Sequence, residues 1–428
     1  MAARDRIRLI DLLRRRPAPR GVSMRRAKPG GHPRVSWKPT VRDGTARVSA
    51  SLPAARRAFA ILVRALRRIL TALLGAGVIA GGWSATAAAA ALAPLDPSAP
   101  AVTRPTTAPL RDRVLRTGPP ARARSAASAE RAYRAADGTT VNVQVSDSFA
   151  ATPGNQAAVQ TYVDFLGSRL HGAELSRLHV FIGSPPEVSA ACGGGADVLA
   201  CYFESQQRMY VPSQDPSVGR SPFTREYVVT HELGHHIARS RRNDPFPALD
   251  FGPKYWSSYK HICDGWLAGR YFPGNQGSHY VDDPGEGFAD SYAHLHYPTA
   301  PWQYNPALFP DAGAFEAIRR DVVAPWNGPR VRRVRRSLSA SHRVTTIPVT
   351  YSLDGTVALK LSGPRSANFD LEVRIGRRVV ARSRARGSQD RLTGTVCRLA
   401  TEAVGAVSVR VRRRSGAGRF TLRVSTPG

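Results

Sequence analysis

The stretch EYVVTHELGHHIARS, Glu226–Ser240, sets three histidines and two glutamates among apolar residues that recur near the helical period, Val228, Val229, Leu233 and Ile237. A helix with that pattern buries one face, and unpaired imidazoles and carboxylates are costly to bury unless something binds them. His231 and His235 stand four residues apart, so their rings project from one face about 6 Å apart, a separation that two ligands of one tetrahedral metal ion can bridge. Glu232 is rotated about a quarter turn aside. There it can hydrogen-bond a water on the metal and take its proton. His236 lies off the ligand face and reads as a supporting or solvated residue.

Catalytic zinc takes three protein ligands and keeps one position for water, so a third donor must come from elsewhere. The extended pattern HExxHxxGxxH does not supply it, because Ala238 and Arg241 occupy the downstream positions. The segment EGFADSYAHLHY, Glu286–Tyr297, does. On a helix Glu286 and Asp290 share a face, so Glu286 can bind the ion while Asp290 accepts the free N–H of a ligand histidine. The expected set is one Zn²⁺ on His231, His235 and Glu286. His294 and His296 are rival ligands, and His294 would lie about 12 Å along the axis from Glu286, too far to share its ion. The alternative role for Glu286 is a helix cap.

Charge does not redirect this reading. The 428 residues carry a formal +31, which suggests a nucleic-acid binder, but the excess sits at the ends. Residues 1–93 hold 19 basic and 3 acidic residues and 331–428 hold 21 and 5, whereas 151–330, with the histidines, hold 14 and 18. No specific nucleic acid is expected as a partner. An anionic surface met by the C-terminal segment is the charge-based partner, although arginines alternating with apolar residues, as in VSVRVRRR, equally describe a solvated sheet face.

Residues 1–93 read as an export signal with an extended basic leader. The run Ile69–Trp83 is apolar and uncharged, and Ala85–Ala93 offers small residues at cleavage points. A secreted protein is therefore expected, with an outward-facing membrane anchor over Ile69–Leu95 as the alternative. Four cysteines fit the exported side. Cys192 and Cys201 flank a short glycine-rich loop and are expected to pair, while Cys263 and Cys397 are left open. Residues 94–138, rich in Pro, Ala, Ser, Thr and Arg, read as linker or pro-region without a packed core, and with no Cys or His there the segment is not expected to silence a metal by thiolate or imidazole.

A domain of mixed helix and strand is expected over 139–330, with strands at VNVQVSDSF and LHVFIGS, a helix at 156–170, and an edge strand RMYVPS, Arg208–Ser213, before the histidine helix. Residues 331–340 read as a basic linker. The remainder, 341–428, shows six short alternating runs, TTIPVTYSL, TVALKLSG, FDLEVRI, RVVARSR, VSVRVRRRSG and FTLRVST. That spacing indicates a β-sandwich.

HELGH followed by E-x-x-x-D resembles the gluzincin branch of the zinc metallopeptidases, over roughly residues 150–325. EGFAD with Tyr280 six residues ahead of Glu286 is similar to the lethal-factor-like variant. The resemblance implies an α+β zincin-like catalytic domain followed by the all-β domain, with Glu232 as general base and Tyr280 helping to stabilise the oxyanion. It also implies an endopeptidase whose extended peptide substrate lies along the RMYVPS edge; the chain is expected to be a monomer. Gly285 stands where the thermolysin motif has Asn, and the gap from His235 to Glu286 is longer than in compact members. DGTVALKLSG, FDLEV, TVC and SGAGRFTLRVS resemble the bacterial pre-peptidase C-terminal domain, which is appended to secreted proteases and sometimes removed from them. A second class of function is a cell-surface or polyanion-binding protein whose metal site is structural or inactive.

Overall fold

The computed structural model describes residues 9–10, 91–102, 112–116, 129–149, 153–193, 198–215, 223–401 and 404–428. The span 1–93, read in the sequence as an export signal, lies almost entirely outside them. At the described end of the run Ile69–Leu95, Leu92 and Leu95 are buried in the main core; no helix among the described residues is long and apolar enough to cross a membrane.

The first body is built on a six-stranded mixed sheet. In chain order its strands are β1 (Val114–Leu115), β2 (Arg131–Arg134), β3 (Thr140–Val145), β4 (His179–Gly183), β5 (Cys201–Phe203) and β6 (Arg208–Pro212). Their spatial order is β1-β5-β6-β4-β3-β2. Strands β3, β4 and β6 run parallel, and β5 turns back antiparallel to β6. Apolar residues of this sheet share one core with α1 (Pro153–Gly167), α3 (Arg225–Arg239) and α7 (Pro284–His296). Five shorter helices complete the body: α2 (Pro185–Ala191) early in the chain, then α4 (Ala248–Phe251), α5 (Lys254–Tyr259), α6 (Ile262–Leu267) and α8 (Ala312–Val323).

Two expectations about this body are corrected. RMYVPS is no edge strand: β6 lies between β5 and β4 with Met209–Pro212 buried. A mostly apolar run fits an interior strand covered on both faces better than an edge. On that side β5 comes next, and the sheet ends at β1, a two-residue strand paired to β5 in parallel. The span 94–138 is also not free of packed structure. Leu95 and Ala101 are buried, Val114–Leu115 and Arg131–Arg134 are strands of the sheet, and the buried Arg225 guanidinium donates to the carbonyls of Ala93 and Pro94. Composition marked this segment as linker because its few anchoring residues are diluted among Pro, Ala and Thr.

The C-terminal body has two antiparallel sheets sharing one apolar core, Leu338, Val349, Leu361, Phe369, Val409 and Phe420 among them. Its strands are β7 (Arg330–Leu338), β8 (Val344–Tyr351), β9 (Gly355–Ser362), β10 (Asn368–Ile375), β11 (Arg378–Ser383), β12 (Arg391–Val396), β13 (Gly405–Ser415) and β14 (Gly418–Thr426). One sheet runs β12-β9-β14-β7, with Leu9–Ile10 paired on β12, and the other β11-β10-β13-β8. The span 331–340, read as a linker, is mostly strand β7, paired along its length with β14. The five arginines of Arg330–Leu338 hid a strand because β7 is a sheet edge with nearly every side chain in solvent. RLTGTV, absent from the six runs read in the sequence, forms β12.

Both cysteine pairs are disulfides. Cys192–Cys201 closes the glycine-rich loop, and Cys263–Cys397 ties α6 to the C-terminal sheets. Beside the second, the buried Lys254 ammonium donates to the carbonyls of Asp244 (2.8 Å) and Asp354 (2.9 Å), and Trp326 Nε1 donates to the carbonyl of Pro427 (2.6 Å).

Candidate metal centre

Helix α3 begins at Thr224, whose hydroxyl caps it by accepting from the Tyr227 N–H, and every residue from Arg225 to Ala238 is buried. Helix α7 begins at Asp283, whose carboxylate caps it through the Gly285 N–H. The two helices pack at the level of Gly234, where a Cβ would stand 2.8 Å from Ala289 Cα. That approach brings His231 and His235 against Glu286. The two imidazole centroids are 5.0 Å apart.

Asp112, His231, His235 and Glu286 are all buried and present one donor atom each within 4.8 Å of one another. His231 Nε2 lies 3.3 Å from Asp112 Oδ2 and 3.4 Å from Glu286 Oε2; His235 Nε2 lies 3.0 Å and 3.3 Å from the same oxygens. Such a group could hold a metal ion. Burial opposes charge on both imidazoles, but the adjoining carboxylates more than offset it. His231 is raised well above the ordinary imidazole value and His235 to about 10. Burial likewise opposes ionisation of Asp112, and the two imidazoles still hold its carboxyl well below the usual range. The cluster draws positive charge to its centre, whether as protons or as a cation.

Around these four, His231 Nδ1 faces Asp290 Oδ1 at 3.3 Å, and the same oxygen accepts from the Tyr227 hydroxyl at 2.7 Å. Both carboxylate oxygens of Glu232 are buried with no hydrogen-bond partner among the described residues. Burial first, then the Asp112 charge, pushes the Glu232 carboxyl well above its ordinary value. Tyr280 donates to Asp112 Oδ1 and lies 3.4 Å from Glu286 Oε2. Its hydroxyl is 3.1 Å from that of Tyr304, whose ring stacks on His231. Gln276 donates to Glu286 Oε1 (2.7 Å).

His294 and His296 are not donors to this cluster. His294 Nε2 donates to the carbonyl of Ala300 (3.0 Å), and His296 Nε2 accepts from the Leu170 N–H (3.4 Å). His236 donates to the Glu174 carbonyl (2.8 Å) and accepts from the Tyr202 hydroxyl (3.0 Å), and burial lowers it to about 4. Sequence reasoning missed Asp112, Gln276 and Tyr304. The last two had no signal, being single polar residues in loops. Asp112 had one weak signal, an acid in the arginine-rich RDRVLR, where a solvated ion pair is the ordinary reading.

No family model matches the chain, and no curated protein does. Among solved structures, the pre-peptidase C-terminal domain of a collagenase from Bacillus anthracis is similar to 22% of this chain over 87% of its own length, at 11% identity and a TM-score of 0.18.

Proposed function

We propose that this chain is an exported zinc-dependent endopeptidase of zincin type with an accessory β-sandwich. One observation carries the reading: a buried set of metal-ligating atoms stands beside a buried carboxylate, Glu232, that no described residue satisfies. Donors on a tetrahedral zinc lie about 3.3–3.4 Å apart at bond lengths of about 2.0–2.1 Å, and the four distances here are 3.0–3.4 Å. A zinc ion on His231, His235 and Glu286 would polarise a peptide carbonyl and acidify water. Glu232 is the base that takes the proton and returns it to the departing amine. Asp290 holds the His231 ring in place. The hydroxyls of Tyr280 and Tyr304 supply donors for an oxyanion, and β5, the outermost strand once the two-residue β1 is set aside, aligns an extended peptide by main-chain hydrogen bonds. Two disulfides suit the oxidising side of a membrane.

The closed four-donor set favours a second reading, a structural metal site in a polyanion-binding protein, but such a site gives Glu232 no work. Replacement of Glu232 decides between them. Glu232→Gln is expected to keep one zinc per chain and to lose roughly 10²–10⁴-fold in peptide hydrolysis. Equal, measurable hydrolysis by the variant and by the same chain with Glu232 intact, or none by any variant of the metal-loaded chain, overturns the peptidase reading.

A further inference from the structure

We infer that Asp112–Arg116 is a built-in inhibitor, with Asp112 filling the metal position that a catalytic site leaves open. The inference rests on the peptidase reading above. Catalytic zinc keeps one position free of protein, yet here a fourth protein donor completes the set.

The carboxylate is shaped for that place. Asp112 Oδ2 faces both imidazole Nε2 atoms, at 3.3 and 3.0 Å, while Oδ1 accepts from Tyr280. Two oxygens on one carbon are what the adduct of water and a peptide carbonyl would present to the same partners. The residues that follow take the substrate's other place. Val114 and Leu115 pair with Tyr202 and Phe203 on β5, the strand that otherwise ends the sheet, and the Tyr202 N–H donates to the Arg113 carbonyl (2.9 Å). Gln276 ties strap to site, accepting from the Val114 N–H (3.1 Å) while donating to Glu286. Arg116 anchors the far end on Glu204 and Asp250. One five-residue stretch thus covers both the ion position and the peptide-binding edge. Thiolates and imidazoles are absent from residues 94–138, and a carboxylate does their work.

The test uses the full chain loaded with Co²⁺, whose visible spectrum reports coordination, and acetohydroxamate as a small metal-binding probe. In the wild type Asp112 should exclude the probe. Asp112→Ala should keep its cobalt on three ligands and bind the probe on the order of 100-fold more tightly, because apparent affinity scales with the fraction of molecules in which the position is open. Arg116→Ala leaves all four donors in place and should give a smaller gain of the same sign. Should Asp112→Ala fail to fold, Arg116→Ala alone carries the test. Equal probe binding by wild type and the folded variants overturns the inference, as does loss of cobalt from Asp112→Ala, which would make Asp112 a structural ligand. Tighter probe binding without peptide hydrolysis upholds the strap and removes the peptidase reading, so the two failures are distinguishable.

Discussion

Gly234 meets the backbone of Ala289 so closely that a Cβ would stand 2.8 Å from its Cα and 3.1 Å from its carbonyl oxygen. The contact joins the helix carrying His231 and His235 to the helix carrying Glu286. Gly234→Ala gains about 1 kcal/mol of helix propensity, but the backbone it strikes cannot swing away. Overpacking of about 1–3 kcal/mol should prevail. The variant is expected to melt lower and, by moving α7 outward, to bind metal more weakly. A melting temperature at or above wild type with unchanged metal affinity would show that the helices can part freely.

The donor set separates by single substitutions. Glu286→Ala leaves Asp112, His231 and His235 and should bind zinc more weakly than wild type, and Asp290→Ala should weaken it about 10–100-fold by releasing the His231 ring. His294→Ala should leave zinc content unchanged, since its Nε2 is engaged with the Ala300 carbonyl. Metal analysis of the folded variants checks all three. Zinc held at wild-type affinity by Glu286→Ala and lost by His294→Ala would refute the set.

Removal of the C-terminal sheets should not leave the first body at full stability. The Cys263–Cys397 bridge spans 134 residues, and Lys254 and Trp326 both use main-chain acceptors in that domain. Cys263→Ser with Cys397→Ser should lose about 2–5 kcal/mol. A chain ending at Pro329 should lose more, because it also removes the main-chain acceptors of Lys254 and Trp326. Denaturant melts give both numbers, and a truncated chain as stable as the first body of the whole protein would contradict this.

Burial pushes the Asp354 carboxyl up from its ordinary 3.8 to about 7, the Arg398 N–H and the charges of Lys254 and Arg398 only partly opposing it. Between pH 4 and 7 the folded chain therefore holds a proton that the unfolded chain releases. This group's contribution to stability is full below about pH 4 and falls as pH rises to 7, at up to about 1.4 kcal/mol per unit. Asp354→Asn mimics the protonated form, so its stability relative to wild type should climb over that window. A difference that stays flat from pH 4 to 8 would show that the carboxyl titrates normally.

The sequence by itself determined the parts whose chemistry is local. Four-residue spacing sets His231 and His235 on one helical face, a similar spacing aligns Glu286 with Asp290, and period-two alternation marks most strands of the sandwich. Close cysteine spacing marked Cys192–Cys201. Tertiary structure decided whatever depends on contacts between distant segments. Asp112 lies 119 residues before His231 in the chain, and nothing in its neighbours announces that folding buries it among two imidazoles and a tyrosine. The same holds for Cys263 with Cys397. Strand β6 could not be told from an edge, since edge or interior is set by which strand lies beside it. The basic stretch β7 passed for a linker because its strand character rests on pairing with β14, while its arginines remain in water. Local periodicity reports which face of an element is buried; the partner that buries it is fixed only when the chain closes on itself.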